Sequence, residues 1–137
     1  MTYVLDASAI LRFLDGEAGS DRVAEILKSH AAGRDDAVIP ALHWGEAVGV
    51  IYKRQMQGPA GWQTAWDRLH ALKIEAVPAT VDRAIRSALT HVTLKIPYVD
   101  SFAVELASQP NHVLVTADFD FKPAANIISI EFLPTKS

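Results

Sequence analysis

The sequence predicts an α/β layer fold around a mostly parallel sheet, and three observations lead there. Four short apolar segments rich in β-branched residues read as buried strands: YVL from Tyr3, AVI from Ala37, VLVT from Val113 and IISI from Ile127. Helical patterns fill the intervals between them. Strands alternating with helices at these intervals are the signature of an α/β layer fold with parallel pairing.

The elements follow in order. A short helix is expected near Ala9, directly after the first strand. The segment from Asp21 to Ala32 carries Val23, Ala24, Ile26 and Leu27 on one side, with Ser20 as its expected cap. A longer helix is expected from Ala41 to Gln57, ended by Gly58 and Pro59. AGWQTAWDRLHAL then places Trp62, Trp66 and Leu69 at spacings of four and three. A fifth strand candidate, IEAVPA from Ile74, alternates more and is expected nearer an edge. TVDRAIRSAL opens on Thr80 as a cap, and a final helix runs from near Pro97 through YVDSFAVELAS to Pro110.

At 137 residues the chain reads as one domain, residues 1–137, and a domain of that size buries roughly 70% of its unfolded surface. A hydrophobic fraction of 50% with 21% charged residues excludes disorder. No repeat of solenoid period is present. Asp6, Arg12 and Asp15 interrupt the N-terminal apolar run well short of the ~20 residues that cross a bilayer. No basic region precedes YVL, so a signal peptide is not expected and a cytoplasmic protein is. The absence of cysteine removes disulfides, thiolate zinc sites and cysteine nucleophiles. A net charge of -3 provides no global attraction for a polyanion, which leaves a local patch and a bound cation as the means of binding one.

In parallel sheets, ligands sit beyond the carboxyl ends of the strands, where strand order reverses. Asp6 follows the first strand and Asp118 follows VLVTA. Glu46 is the only acid of PALHWGEAVGVIYK, and Asp100 stands in the first turn of an apolar helix beside Val99, Phe102, Ala103 and Leu106. Both are expected inside. Four carboxylates in one cleft repel, and either protonation or a cation resolves the conflict. Magnesium or manganese suits such an oxygen-rich set. Other roles stay open for each acid. Asp6 and Ser8 also read as caps of the short helix, Asp100 as a partner of the helix dipole, and Asp118, with Asp120 close by, as a turn residue. His43 reads as a surface or core residue before it reads as a ligand.

Taken together, YVLDASAIL, HWGEAVGVIYK, PYVDSFAVELA and VLVTADFDF resemble the PIN-domain superfamily, and within it the VapC-type ribonuclease toxins of bacterial toxin-antitoxin modules. The resemblance covers the whole chain. It implies a three-layer α/β/α domain with a central, mostly parallel sheet of four to five strands. It implies that Asp6, Glu46, Asp100 and Asp118 form a catalytic acidic quartet, with Asp6, Asp100 and Asp118 holding Mg2+ or Mn2+. Ser8 and Thr116 match supporting polar positions, and Asp120 is a secondary acid. Val99 departs from the small residue usual before the third acid, and LHWGE departs from the usual approach to the second, so that His43 and Trp44 are expected to flank the cleft.

The function implied is a metal-dependent endoribonuclease that cuts tRNA or rRNA loops, is neutralised by a cognate antitoxin and forms a homodimer. Arg12, Lys53, Arg54, Lys95 and Lys122 are near the relevant segments, though none is singled out for substrate. Apolar surface around Ile51, Trp62 and Trp66 is a candidate seam for an antitoxin or a second copy. The rival is a catalytically silent PIN-like domain that binds RNA or protein. Nucleotide-binding enzymes are disfavoured, since no phosphate-cradling glycine loop is present.

Overall fold

The structure, a computed structural model, describes residues 1–54 and 59–136, without the side chains of residues 59–62 and 65. The chain runs β1 (Thr2–Leu5), α1 (Ala7–Asp15), α2 (Ser20–Ala31), β2 (Asp36–Pro40), α3 (Ala41–Arg54), α4 (Pro59–Ala71) and β3 (Glu75–Val77). There follow α5 (Val81–Leu94), α6 (Tyr98–Ala107), β4 (His112–Thr116), a 3-10 helix (Phe119–Ala124) and β5 (Ile130–Phe132). The five strands form one sheet in the order β3-β2-β1-β4-β5, every pair parallel. This is the expected three-layer α/β/α fold.

Alternation along the central strands creates two cores. Val4 pairs with Val38 and Leu114 and points to one face, while Leu5, paired with Val115, points to the other. On the first face Val4, Val38 and Leu114 pack with Ile96, Val104, Leu106 and Phe121. On the second, Leu5, Ile39 and Val115 pack with Ile10, Val23, Ile26 and Leu133. A fully buried aliphatic or Phe side chain stabilises by roughly 1.5–3 kcal/mol, so the strands are anchored from both sides. α6 is buried from Ser101 to Ala107, and α5 packs outside it.

Local signals set most of the boundaries. Asp6 caps α1, which Gly16 ends in the left-handed conformation, its N–H bonded to the carbonyls of Arg12 and Phe13. Thr80 caps α5 by accepting the Arg83 amide, as expected. β3 is an edge strand with Glu75 and Ala76 exposed.

Two boundaries differ from expectation. Ser20 is the first residue of α2 and caps nothing; the cap position belongs to Gly19. Gly19 has φ of 90°, and a Cβ there would lie 2.9 Å from Leu133 Cβ, so the chain enters α2 through a turn that no side chain fits. The last strand begins at Ile130 instead of Ile127. The turn after the 3-10 helix carries Ile127 out to solvent and Ile128 into the core, and pairing with β4 starts where the Leu114 amide meets the Ser129 carbonyl. The expected end of α3 at Gln57 and Gly58 lies outside the described residues.

Candidate metal centre

Strand order reverses between β1 and β4, and these two strands deliver two of the acids. Asp6 is buried at the end of β1. Its Oδ1 accepts the Ala9 amide at 2.9 Å and the Ser8 hydroxyl at 2.7 Å; its Oδ2 accepts the Thr116 hydroxyl at 2.6 Å. Capping α1 and facing the crevice are therefore one arrangement. Thr116, the last residue of β4, also accepts the Asp118 amide at 2.9 Å, and Ser8 Oγ accepts the Ala117 amide at 2.9 Å. Two hydroxyls fasten the segment bearing Asp118 to Asp6. Asp118 Oδ1 in turn accepts the Asp120 amide at 2.9 Å and caps the 3-10 helix, with Asp120 itself exposed.

α6 and α3 supply the other two acids. Asp100 stands in the first turn of α6, its side chain 15% exposed. Glu46 is half exposed, at 51%, and corrects the expectation that it sits inside. The buried stripe of α3 is His43, Ala47 and Ile51, spaced by four, and Glu46 lies about 100° around the helix from Ala47. Glu46 thus occupies the rim.

His43 is the residue that the sequence undervalued. It is 2% exposed, with Nδ1 3.5 Å from Glu46 Oε1 and Nε2 3.8 Å from Asp100 Oδ1. The Ala7 amide approaches Nδ1 at 3.4 Å. The signal was its place four residues before Ala47 on the apolar stripe, which puts it inside; that the acids gather around it needed the tertiary structure. Trp44 faces Trp66 at 6.4 Å and packs against the core.

These groups act on one another electrostatically. Burial, followed by the charges of Asp118, Glu46, Asp6 and Asp120, pushes Asp100 up to about 7. Burial also raises Asp6, against the hydrogen bonds from Thr116, Ser8 and Ala9 that favour its ionised form. Burial lowers His43, although Asp6, Glu46, the Val99 carbonyl and Asp118 favour its charged form. A carboxyl pressed this way by like charges is one that a cation relieves.

The donor set fits a divalent ion. Among the described residues, His43, Glu46 and Asp100 offer ligand atoms within 4.8 Å of one another. Oxygen donors of this kind suit magnesium or manganese, and the imidazole adds a nitrogen.

The basic residues near the cleft are mostly engaged. Arg12 reaches the carbonyls of Ala18 and Pro134 and pairs with Glu17. Arg54 pairs with Asp15, and Lys122 lies over the Phe119 ring. Of the residues expected at a seam, Ile51 is buried and Trp66 is partly covered by Trp44 and His70; the Trp62 side chain lies outside the described residues. Exposed apolar residues run along α5 instead: Val81, Ile85, Leu89 and Val92. No helix among the described residues is long and apolar enough to cross a membrane.

Solved structures share this architecture at low sequence identity. VapBC2 from Rickettsia felis, bound to a DNA fragment from its promoter, superposes with a TM-score of 0.69 at 16% identity, over 98% of this chain and 100% of that one. FitAcB from Neisseria gonorrhoeae gives 0.68 at 17%, over 93% and 95%. VapBC-1 from nontypeable Haemophilus influenzae gives 0.63 at 15%, over 96% and 98%. No curated protein sequence matches the chain. The family model of the PIN domain matches residues 3–127, which span the strands and helices that carry every acid described above. The chain belongs to the PIN domain family.

Proposed function

We infer that this protein is a divalent-metal-dependent endoribonuclease, the toxin of a toxin-antitoxin module acting in the cytoplasm. The observation that carries this is Asp100 at the reversal point of the sheet, raised to about 7 first by burial and then by the charges of Asp118, Glu46, Asp6 and Asp120, a repulsion that a cation would relieve. Membership of a family of nucleases and the likeness in fold to VapBC toxin-antitoxin proteins support it.

Asp6, Asp100 and Asp118 would hold the ion, magnesium or manganese. Such an ion, when bound, polarises a phosphodiester and makes water a better nucleophile at neutral pH. The chain's own residues set the geometry. Ser8 and Thr116 fix the Asp6 carboxylate and the Asp118 segment through their hydroxyls. Glu46, at the solvent-facing rim, accepts at its carboxylate the proton of the attacking water. Water adds to phosphorus, the bond to the leaving sugar oxygen breaks, and solvent protonates that oxygen. Asp120 adds negative potential at the same end.

The substrate is RNA, with exposed tRNA or rRNA loops as the accessible form, since single-stranded loops present splayed backbone and bases to a cleft. A cognate antitoxin would silence the site by laying arginine across the carboxylates. The stripe Val81, Ile85, Leu89 and Val92 on α5 is the seam for a second copy.

The test is cleavage of mixed tRNA and rRNA by purified, partner-free protein with magnesium, manganese or chelator, beside Asp6→Asn and Asp118→Asn. Discrete fragments are expected only with cation, and in neither variant. A wild type as inert as its variants, with manganese still bound, would replace the nuclease by a silent binding domain.

A further inference from the structure

His43 is a buried polar group of the site to which the three carboxylates proposed as ligands give no task. It is buried on α3 where the first turns of α1 and α6 meet, and its Nε2 has no hydrogen-bond partner. The Val99 carbonyl is near enough to favour a proton there, but makes no hydrogen bond of acceptable geometry with it. Nε2 stands 3.8 Å from Asp100 Oδ1, too far for a hydrogen bond. That separation suits another contact. Two donors that share one ion at about 2.1–2.2 Å are about 3.0 Å apart at a right angle and about 4.3 Å apart when opposed.

We propose that His43 binds the cation of this centre directly through Nε2, beside Asp100, giving a mixed nitrogen-oxygen site that prefers transition ions to magnesium. It rests on the metal-centre reading above and deepens it. Magnesium takes oxygen donors, whereas imidazole suits transition ions, so one nitrogen in the shell shifts selectivity.

The ring's other nitrogen decides the tautomer. A cation on Nε2 requires the proton on Nδ1, and Glu46 Oε1, an ion-pair neighbour at 3.5 Å with no hydrogen bond to the ring here, is the carboxylate that would close on it as acceptor. A carboxylate on the second nitrogen is the usual support of a metal-bound imidazole. The Ala7 amide favours the opposite tautomer, but its 3.4 Å contact is long, and it belongs to a first helical turn, where amides without an intrahelical partner are ordinary. Cation binding at Nε2 therefore gives up the Ala7 contact and draws Glu46 onto Nδ1.

Electron spin-echo modulation of the manganese-loaded protein, in natural abundance and with 15N-histidine, reads the bond without any activity assay. The expected result is a directly bound nitrogen that shifts with the label and vanishes in His43→Gln and His43→Asn. Manganese affinity in those variants should fall about 10-fold or more, while magnesium affinity, measured by competition, changes far less. Melting in chelator identifies a variant that fails to fold, and the labelled wild type then decides alone. Manganese that binds, weakens with Asp118→Asn and shows no nitrogen coupling would overturn the role of His43 and leave a carboxylate centre standing. Manganese binding that is absent, or indifferent to Asp118→Asn, would overturn both.

Discussion

Thr116 and Asp6, 110 positions apart in sequence, share a buried 2.6 Å hydrogen bond that joins the C-terminal ends of β4 and β1. The Thr116 hydroxyl donates to the carboxylate and accepts the Asp118 amide. Thr116→Val removes both and strands a buried carboxylate oxygen, at a cost of about 1–3 kcal/mol. Urea unfolding in chelator would read this, with Thr116→Ser recovering most of the loss. A Val variant as stable as wild type would show that the bond carries little.

Glu105 on α6 offers a second stability test. Its carboxylate is buried and accepts from Arg83 at 3.2 Å and Arg86 at 2.9 Å, both arginines being more exposed. Removing the acid frees two groups that water can reach, whereas removing both bases leaves a buried charge unpaired, which costs about 3–5 kcal/mol. The double variant Arg83→Ala, Arg86→Ala is therefore expected to lower the melting temperature more than Glu105→Gln does. The reverse order would mean that water already screens the carboxylate.

The pH dependence of the metal-free protein follows from Asp100. The unfolded chain releases this proton near 3.8, while the folded protein holds it to about 7. Between those values the folded state binds more protons, so the contribution of Asp100 to stability falls as pH rises through that window and levels off above it. Asp6, also raised, acts in the same direction. His43, lowered, acts in the opposite sense below its ordinary 6.5, so the comparison with Asp100→Asn isolates the carboxyl. In chelator at pH 7.5 the Asn variant should melt above wild type, with the gap closing toward pH 4. Manganese should reverse the order, and its affinity for wild type should fall as pH drops below about 7, where a proton competes for Asp100.

The sequence showed the central strands because strands buried on both faces are plain apolar runs, and β1, β2 and β4 are of that kind. It misplaced β5, where Ile127 and Ile128 have strand propensity but follow a 3-10 helix whose turn consumes them. Ser20 is not the cap because it is already the first helical residue, the chain entering α2 through Gly19 in the left-handed conformation. At the site, Asp6 stood out at the end of its apolar strand, whereas Ser8 and Thr116 were singled out as supporting residues only by the resemblance to the PIN-domain motifs. The rim position of Glu46 and the gathering of acids around His43 depend on how α3 docks over the sheet, which its own sequence does not specify.

α5 carries the prediction about assembly. Val81, Ile85, Leu89 and Val92 are each more than half exposed and recur at helical spacing. Leu89→Lys should convert a dimer to a monomer in sedimentation while changing the stability of the fold by no more than about 0.5 kcal/mol, the usual range for a surface site. A wild type already monomeric at tens of micromolar would remove the seam.

The most direct test of the central claim is anomalous diffraction from crystals of the protein soaked in manganese. An ion at the crevice between β1 and β4, bounded by Asp6, Asp100 and Asp118, is the predicted result. Crystals with no peak in that crevice at saturating manganese, or with peaks only at surface carboxylates elsewhere, would contradict it.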